Sequence, residues 1–506
     1  MEIGYKPYVD PEVESLIARI HPPRICIDND AFQDCTLVKV DSANKHGVLL
    51  EMVQVLTDLD LVISKSYICS DGGWLMDDVS QPQLPLFLYS CGAVLIACLP
   101  VFHVTDQLGN KIVDESIIHY IQQALCESRR GSREIQTFIG RDVRPRYVLT
   151  EHTALEMTGT DRPGLMSEIS AVLAEMGCHI SAAVAWTHNA RAACIVYVED
   201  DSKHGPITDP YRVAQIQAQL ENVVEAHHYN GERRSVRLSD PTASRTHTER
   251  RLHQLMAADR DYEQCCSCRE NGNEEGEKHS QERCYNSETS IKIENCKEKG
   301  YSIVTVWSRD RPKLLFDTVC ALTDMHYIVF HASISSHDST SVQEYYVRHK
   351  DGCTLNLESE RRRVTQCLIA ATERRASHGL RLDICTQNRL GLLSDVTRVF
   401  RENGLSITRA EIGTQGERAI GTFYVKDTSG QSVDPETLES VRQEIGGTVK
   451  VVHKSSGRFT QATSSGNSTR RSHRSSGEDG KPGFSLGSLL WAQLERLSNN
   501  FRPIKS

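Results

Sequence analysis

The sequence predicts an α+β protein made of four small repeats, each with the strand and helix order βαββαβ and one antiparallel sheet. A β-branched run, a short polar turn and an amphipathic helix follow one another four times in the 506 residues. In repeats two, three and four, the same distance of 34 residues separates the turn from a later valine. Only 39% of the residues are hydrophobic, so linkers are expected between these small domains.

Each repeat opens with a strand, a turn and a helix. The turn has Asp or Asn followed by Gly or a substitute, as in Asp161–Gly164 and Asn388–Gly391; repeat one has Asp41–Gly47 and repeat three has Asp310–Lys313. The strands before the turns are predicted at Cys35–Val40, Ala154–Thr158, Ser302–Val306 and Leu382–Cys385. The helices after them have apolar residues every three or four positions, and Gly177 and Gly404 stand where a glycine ends a helix.

Two strands, a second helix and a closing strand complete each repeat. The second helices are predicted at Glu115–Leu125, Pro210–Val223, Glu358–Ala371 and Pro435–Ile445. Closing strands are predicted at Ser235–Leu238 and Thr448–His453, with Ile135–Phe138 as a weak candidate in repeat one. In repeat three the chain leaves little room, so its last strand is expected to be short or missing. This order is the ferredoxin-like arrangement, with both helices on one face of the sheet.

Repeat one has an apolar insert. Its turn lies 57 residues before the matching valine, and the excess of 23 residues equals the length of segment 78–100. The overlapping run Leu84–Phe102 is apolar and about as long as a membrane span. A span would place the two ends of one strand on opposite sides of a bilayer, and no basic flank would orient it. We therefore favour an interruption that arose in transcript or gene-model processing, with a membrane-anchored form as the less favoured alternative.

Two polar segments lie outside the repeats. Segment 240–299 is predicted to be a disordered linker. Its Cys265 and Cys268 form one Cys-x₂-Cys pair without a second pair at zinc-site spacing, so no metal site is predicted. Segment 455–506 is a Ser- and Arg-rich tail, and a short amphipathic helix is expected after Pro482. The predicted boundaries are 35–139, 151–239, 300–378 and 379–454 for repeats one to four.

The composition also bears on the compartment and on partners. The net charge of −9 gives no overall attraction to nucleic acid. The N-terminal residues contain no secretory or organelle signal, and the seventeen cysteines are interpreted as reduced thiols. A cytoplasmic protein is expected, and the basic tail suggests the nucleus as a second compartment.

Several motifs resemble a known family. Asp161-Arg-Pro-Gly-Leu-Met-Ser-Glu168 and Asn388-Arg-Leu-Gly-Leu-Leu-Ser-Asp395 are similar to the first turn of the ACT domain, a small regulatory module. The stretches 40–47, 186–191, 310–317 and 484–489 resemble the plant ACR proteins, which consist of ACT repeats without a catalytic domain. The resemblance implies four ferredoxin-like copies, edge-to-edge or face-to-face pairing of ACT units, and an amino acid bound between domains.

The turn also has a physical reason to hold a ligand. A helix N-terminus presents free N–H groups and a partial positive charge to a carboxylate, and glycine permits close approach. The resemblance transfers ligand binding to Asp161, Arg162, Pro163, Gly164, Leu165, Asn388, Arg389, Gly391, Leu392, Asn44 and Gly47. Ordinary helix capping by Asp, Asn and Pro is the alternative interpretation. Lys313 replaces the glycine in repeat three, which is therefore expected to be structural; contact of this cation with a carboxylate is the alternative.

The function predicted from these residues is that of a non-catalytic, amino acid-binding regulatory protein. The chain contains no P-loop, no dinucleotide-binding glycine motif after a strand and no His-Glu-x-x-His; no Asp-x-Asp follows Gly131-Ser132. No cofactor is predicted. The expected partners are a free amino acid, other ACT units in the chain or in a homo-oligomer, and an unknown protein. The alternative is an interaction scaffold whose repeats only pair with one another.

Overall fold

The computed structural model describes residues 24–42, 46–69, 100–127, 152–202, 205–226, 233–239, 247–263, 289–296, 300–337, 339–375, 379–415, 417–429, 433–446 and 448–452. Five predictions fall on other residues: Asn44, most of the apolar insert, the strand at 135–138, the cysteines at 265–284 and the tail helix.

The elements follow the predicted repeats. Repeat one has β1 (Arg24–Asp28), β2 (Thr36–Asp41), α1 (Val48–Asp58), β3 (Val62–Cys69), β4 (Val101–Thr105) and α2 (Glu115–Glu127). Repeat two has β5 (Thr153–Thr160), α3 (Leu165–Glu175), β6 (Cys178–His188), β7 (Arg191–Asp200), α4 (Pro210–Glu225) and β8 (Ser235–Ser239). Then come α5 (Thr248–Ala258) and β9 (Ser290–Cys296). Repeat three has β10 (Tyr301–Arg309), α6 (Leu314–Asp324), β11 (Tyr327–His337), β12 (Thr340–His349) and α7 (Glu358–Arg374). Repeat four has β13 (Leu380–Gln387), α8 (Leu392–Glu402), β14 (Leu405–Gln415), β15 (Arg418–Asp427), α9 (Pro435–Ile445) and β16 (Thr448–Val452).

The α+β, ferredoxin-like fold is confirmed, and repeats one and three differ from it in one strand. β8 lies antiparallel beside β5, and β16 beside β13, as closing strands do. In repeats one and three, β1 and β9 take the same position beside the first strand. Both come before that strand in the chain, not after the second helix. Repeat three therefore needs no closing strand after its second helix, because β9 already lies beside its first strand.

The prediction of disorder is wrong for two parts of segment 240–299. The helix α5 spans 248–258, and β9 spans 290–296. Leu252, Leu255 and Met256 lie on one face of α5 and are buried, but they stand among charged residues that give the segment a polar composition. The polar composition of this segment therefore did not indicate the helix, because only a narrow face of the helix is apolar.

The repeats pair edge to edge, one with three and two with four. β3 lies antiparallel beside β11, and β6 beside β14, so that each pair shares one eight-stranded sheet. The first helices of each pair also pack together, α1 on α6 and α3 on α8. Ser170 Oγ lies 3.1 Å from Thr397 Oγ1, and both residues are the sixth after their turn glycine. The pair of repeats two and four thus has an approximate twofold axis.

The two sheets are also stacked through α5. The face of the second sheet opposite its own helices carries small and aromatic side chains against α5; this cluster contains Ala182, Val184, Trp186, Ile195, Tyr197, Leu252, Leu255 and Met256. The other side of α5 packs on α6 of the first sheet. The linker helix therefore lies between the two pairs and joins them.

Candidate ligand-binding site

The four strand-to-helix turns have one common backbone geometry. The residue before each helix has positive φ: 89° at Gly47, 85° at Gly164, 64° at Lys313 and 76° at Gly391. In repeats two, three and four, the first turn residue donates its N–H at 2.8 Å to a carbonyl in the following hairpin, that of Ala190, Ser339 or Glu417. The hairpin therefore fixes the turn, and the left-handed residue brings the helix N-terminus to the surface of the repeat.

The arginine of the turn is bound within its own repeat. Arg162 donates two hydrogen bonds to the Glu168 carboxylate, at 2.8 and 2.5 Å, and a third to Val223 O at 3.2 Å. Arg311 contacts the equivalent partners in repeat three, Asp317 and the carbonyl of Thr372. Arg389 pairs with Asp395. Because these guanidinium groups already have carboxylate partners, the geometry favours a structural role for them over the predicted contact with a ligand.

A cavity of about 30 Å³ lies beside the turn of repeat two. Asp161, Arg162, Gly164 and Leu165 line it from the turn, and Pro163 stands between them in the chain. Repeat four supplies the opposite wall, which consists of Thr397, Arg401, Leu405, Ile407, Thr408 and Arg409. These six residues were not predicted, because nothing in the sequence indicates that repeat four, rather than repeat one or three, borders the turn of repeat two.

Both the backbone conformation at position 164 and the nearby Arg401 side chain favour glycine there. Its φ of 85° is left-handed, and a Cβ atom at this position would lie 2.8 Å from Cδ of Arg401. The exposed Arg401 side chain thus lies directly over the turn. The wall of the cavity nearest to solvent is therefore a long and flexible side chain.

Asp161 is the titratable group that distinguishes this cavity. Burial raises the pKa of its carboxyl group to about 6, against the opposing effects of Lys426 and of a hydrogen bond from the Arg162 N–H. A partly buried carboxylate of this kind is stabilised in its charged form by any cation that enters the cavity.

The twofold-related turn of repeat four has different surroundings. A Cβ atom at Gly391 would lie 3.7 Å from Cβ of Ala174, the residue equivalent to Arg401. Asn388 donates from Nδ2 to His179 Nε2 at 3.0 Å. Leu392 begins α8, as Leu165 begins α3. The structure thus brings Asn388, Arg389, Gly391 and Leu392 together, but with Ala174 at the position that Arg401 takes in the other site.

In the other pair, the turn of repeat one lies against the C-terminal end of α6, and the turn of repeat three contacts the linker helix. His46, beside Gly47, approaches the carbonyl oxygen of Thr323 with Nε2 at 3.0 Å. Lys313 Nζ donates to Glu249 Oε1 at 3.2 Å, so the cation of repeat three contacts a carboxylate from the linker helix.

Comparison with known proteins identifies the repeats. The family model described as "ACR family N-terminal ACT domain" matches residues 31–81 and 97–132, and models described as "ACT domain" match 152–204 and 381–446. The chain is 50% identical to the ACT domain-containing protein ACR1 of Arabidopsis thaliana over 511 aligned residues, which cover 100% of both chains. The chain belongs to the ACR family of ACT domain-containing proteins.

Two further comparisons give the range of similarity around this ACR chain. The ACT domain-containing protein ACR3 of Arabidopsis thaliana is 48% identical, over 89% of this chain and 91% of its own. A solved structure, the aspartate kinase from Synechocystis, is similar over 60% of this chain and 43% of its own at 9% identity. Its TM-score is 0.15, which is too low to carry an argument about fold or function.

The family comparison bears on the apolar insert. The ACR model leaves residues 82–96 unmatched, inside the predicted insert 78–100. On either side of the gap, β3 and β4 are neighbours, and Tyr67 pairs with Val101. Within the described part of the chain, no helix is long and apolar enough to cross a membrane, and residues 84–99 lie outside that part. The described strands on either side of the insert are therefore antiparallel neighbours in one sheet.

We expect that deleting residues 82–96 leaves the first sheet intact and increases soluble yield. The strands that flank the deletion keep their pairing, and the chain loses an apolar stretch that favours association. The deletion stops before Pro100, whose carbonyl accepts a hydrogen bond from the Val40 N–H. The soluble fraction after expression and the Tm of both proteins are the measurements. A lower soluble fraction or a lower Tm would show that the insert stabilises the domain.

Among the described residues, no group of three His, Cys, Asp or Glu side chains could hold a metal ion. Cys265 and Cys268 lie outside those residues, so the sequence prediction for them stays a prediction.

Proposed function

We propose that this ACR protein is a non-catalytic regulatory protein that binds a free amino acid between repeats two and four. The observation that carries the proposal is the cavity at the twofold interface, lined by a helix N-terminus, a partly buried carboxylate and an arginine from the neighbouring repeat. Membership of the ACR family and the composition of the chain from ACT repeats support it.

The charged groups match the two ends of an amino acid. The α-ammonium group is assigned to Asp161, whose buried carboxylate gains a cation when the ligand binds. The α-carboxylate is assigned to Arg401, which has no carboxylate partner among the described residues, and to the first N–H groups of α3. Met166 and Ser167 line the cavity and precede the first helical bond, from the Glu168 N–H to Gly164 O.

The size of the cavity indicates how binding would act on the protein. A volume of about 30 Å³ is about that of one water molecule, so an amino acid enters only if the Arg401 side chain moves off Gly164. Arg401 belongs to α8, which packs on α3 across the twofold axis. A ligand wedged at this point changes the fit between repeats two and four, and this change is the signal that a partner could detect.

The test is calorimetric titration of the full chain with each of the twenty amino acids, repeated with Asp161→Asn. The variant is expected to bind the active amino acid at least tenfold more weakly, since a charge-assisted hydrogen bond is worth roughly 1.5–3 kcal/mol. Asp201→Asn is the matched control, because Asp201 is an exposed acid of the same repeat. Heat from no amino acid would overturn the proposal and favour a scaffold, an alternative supported by the internal pairing of the turn arginines.

The pH dependence supplies a second readout of the same site. The raised pKa of Asp161 means that the folded protein disfavours its charged form, so this group contributes stability at low pH that is lost as pH rises through about 6. An ammonium ligand binds the charged form, so affinity is expected to increase from pH 5 to pH 7. Asp161→Asn should remove that increase. Affinity that is independent of pH in the wild type would place the ammonium group elsewhere.

A further inference from the structure

The linker helix inserts a buried carboxylate at the turn of repeat three. Glu249 lies in the first turn of α5 and is 0% exposed. Its Oε2 accepts a hydrogen bond from Arg375 Nη2 at 2.6 Å, and its Oε1 accepts from Arg375 Nη1 and, at 3.2 Å, from Lys313 Nζ. Two cations of repeat three thus hold one carboxylate that comes from outside the repeat.

The place of these contacts in the repeat is informative. Lys313 is the left-handed residue of the turn, equivalent to Gly164, which borders the cavity in repeat two. A lysine at a φ of 64° is conformationally unfavourable, and only interactions of its side chain compensate for this. In repeat three, a cationic residue therefore stands where glycine would suit the backbone conformation.

We propose that the turn of repeat three is a carboxylate-binding site and that its ligand is Glu249 of the same chain. The linker helix then acts as a built-in ligand that joins the pair of repeats one and three to the pair of repeats two and four.

The charges around Glu249 require such a carboxylate. Arg311, Lys313 and Arg375 are three cations within one cluster, and its second carboxylate, Asp317, contacts Arg311 and Arg375. Arg375 bonds Asp317 with Nε and Nη2, each at 2.8 Å, so that this guanidinium bridges both acids. Without Glu249 the cluster keeps three cations against Asp317, and Arg375 loses two of its bonds.

The other side of the cluster contacts the second sheet. The guanidinium carbon of Arg375 lies 4.9 Å from the ring centroid of Trp186 on β6, and the Arg375 carbonyl accepts a hydrogen bond from Arg409 of β14 at 2.9 Å. The group that holds Glu249 is therefore fixed by both strands at the centre of the second sheet. When Glu249 is bound, Arg375 therefore connects α5 to both pairs of repeats.

Chemical rescue tests the proposal. Glu249→Ala is expected to lower the Tm of the full chain, and sodium propionate is expected to restore part of the loss, because it supplies a free carboxylate to Lys313 and Arg375. Sodium chloride at the same ionic strength serves as the control for screening. Equal effects of propionate and chloride on the variant, or a variant as stable as the wild type, would overturn the proposal.

A second variant covers the case in which Glu249→Ala does not fold. Lys313→Gly restores the residue that suits the left-handed turn, so a purely structural turn predicts an equal or higher Tm. A carboxylate-binding turn predicts a lower Tm, and a smaller effect of Lys313→Gly when Glu249→Gln is already present. Additive effects of the two changes would contradict the assignment. Because every readout is unfolding, the result is independent of whether repeat two binds an amino acid.

Discussion

Arg375→Ala is expected to lower the free energy of unfolding by about 3–5 kcal/mol, because removing one partner leaves buried charges unpaired. Arg375 is 3% exposed and bonds Glu249 and Asp317, each of which is 0% exposed. Despite burial, which opposes it, these acids hold the pKa of Arg375 well above its usual range. Asp317 responds in the opposite sense: burial raises its pKa, but Arg375 and Arg311 hold it well below the usual value.

Urea unfolding of the full chain measures this loss. Arg362→Ala is the matched control, since Arg362 lies on α7, directly after which Arg375 stands, and pairs with Glu358 at 3.3 Å in solvent, an arrangement worth about 0–1 kcal/mol. If both variants lost less than about 1 kcal/mol, the buried cluster would not stabilise the stacking of the two sheets.

Trp186→Ala is expected to cost about 3–5 kcal/mol, the range found for emptying a buried aromatic site. Trp186 is 0% exposed, packs edge-on against His253 of α5 with centroids 5.0 Å apart, and lies under the Arg375 guanidinium. The substitution therefore removes one of the contacts between the second sheet and the linker helix, in addition to apolar burial.

Trp186→Phe separates the contribution of the ring from that of the indole N–H. The buried Nε1–H has no hydrogen-bond partner among the described residues, so its removal takes away an unsatisfied donor and should recover most of the loss seen with alanine. Trp307→Ala is the exposed control, because Trp307 is 38% exposed on the first sheet. A Trp307→Ala variant that lost as much stability as Trp186→Ala would contradict this account of the core.

The elements within each repeat were predictable because they depend on neighbours in sequence. The predicted helix Pro435–Ile445 matches the structure at both ends, and Glu115–Leu125 is extended by two residues. Gly177 and Gly404 have positive φ directly after their helices, as helix-ending glycines do. Periodicity and capping act over a few residues, so a single sequence carries this information.

The part of the candidate site that belongs to repeat two was predictable from the sequence, and the part from repeat four was not. Asp161 and Gly164 followed from the turn, whereas Arg401 lies more than 230 residues further along the chain and enters the site only through the pairing of repeats two and four. The sequence motif contains both Arg162 and Glu168 but does not show that they pair, and the bond from Arg162 to Val223 O joins residues 61 positions apart.

The sequence by itself determined the number of repeats, the turns and the amphipathic helices, since these follow from steric preferences and from the spacing of apolar residues. Only the tertiary structure decided which repeats pair, which strand closes repeats one and three, and where the linker helix lies. All four repeats present a similar edge strand, so local pattern does not distinguish one partner from another. Contacts between residues far apart in the chain fix these arrangements. Ser170 with Thr397 is one between paired repeats, and Glu249 with Arg375 is one that places the linker helix.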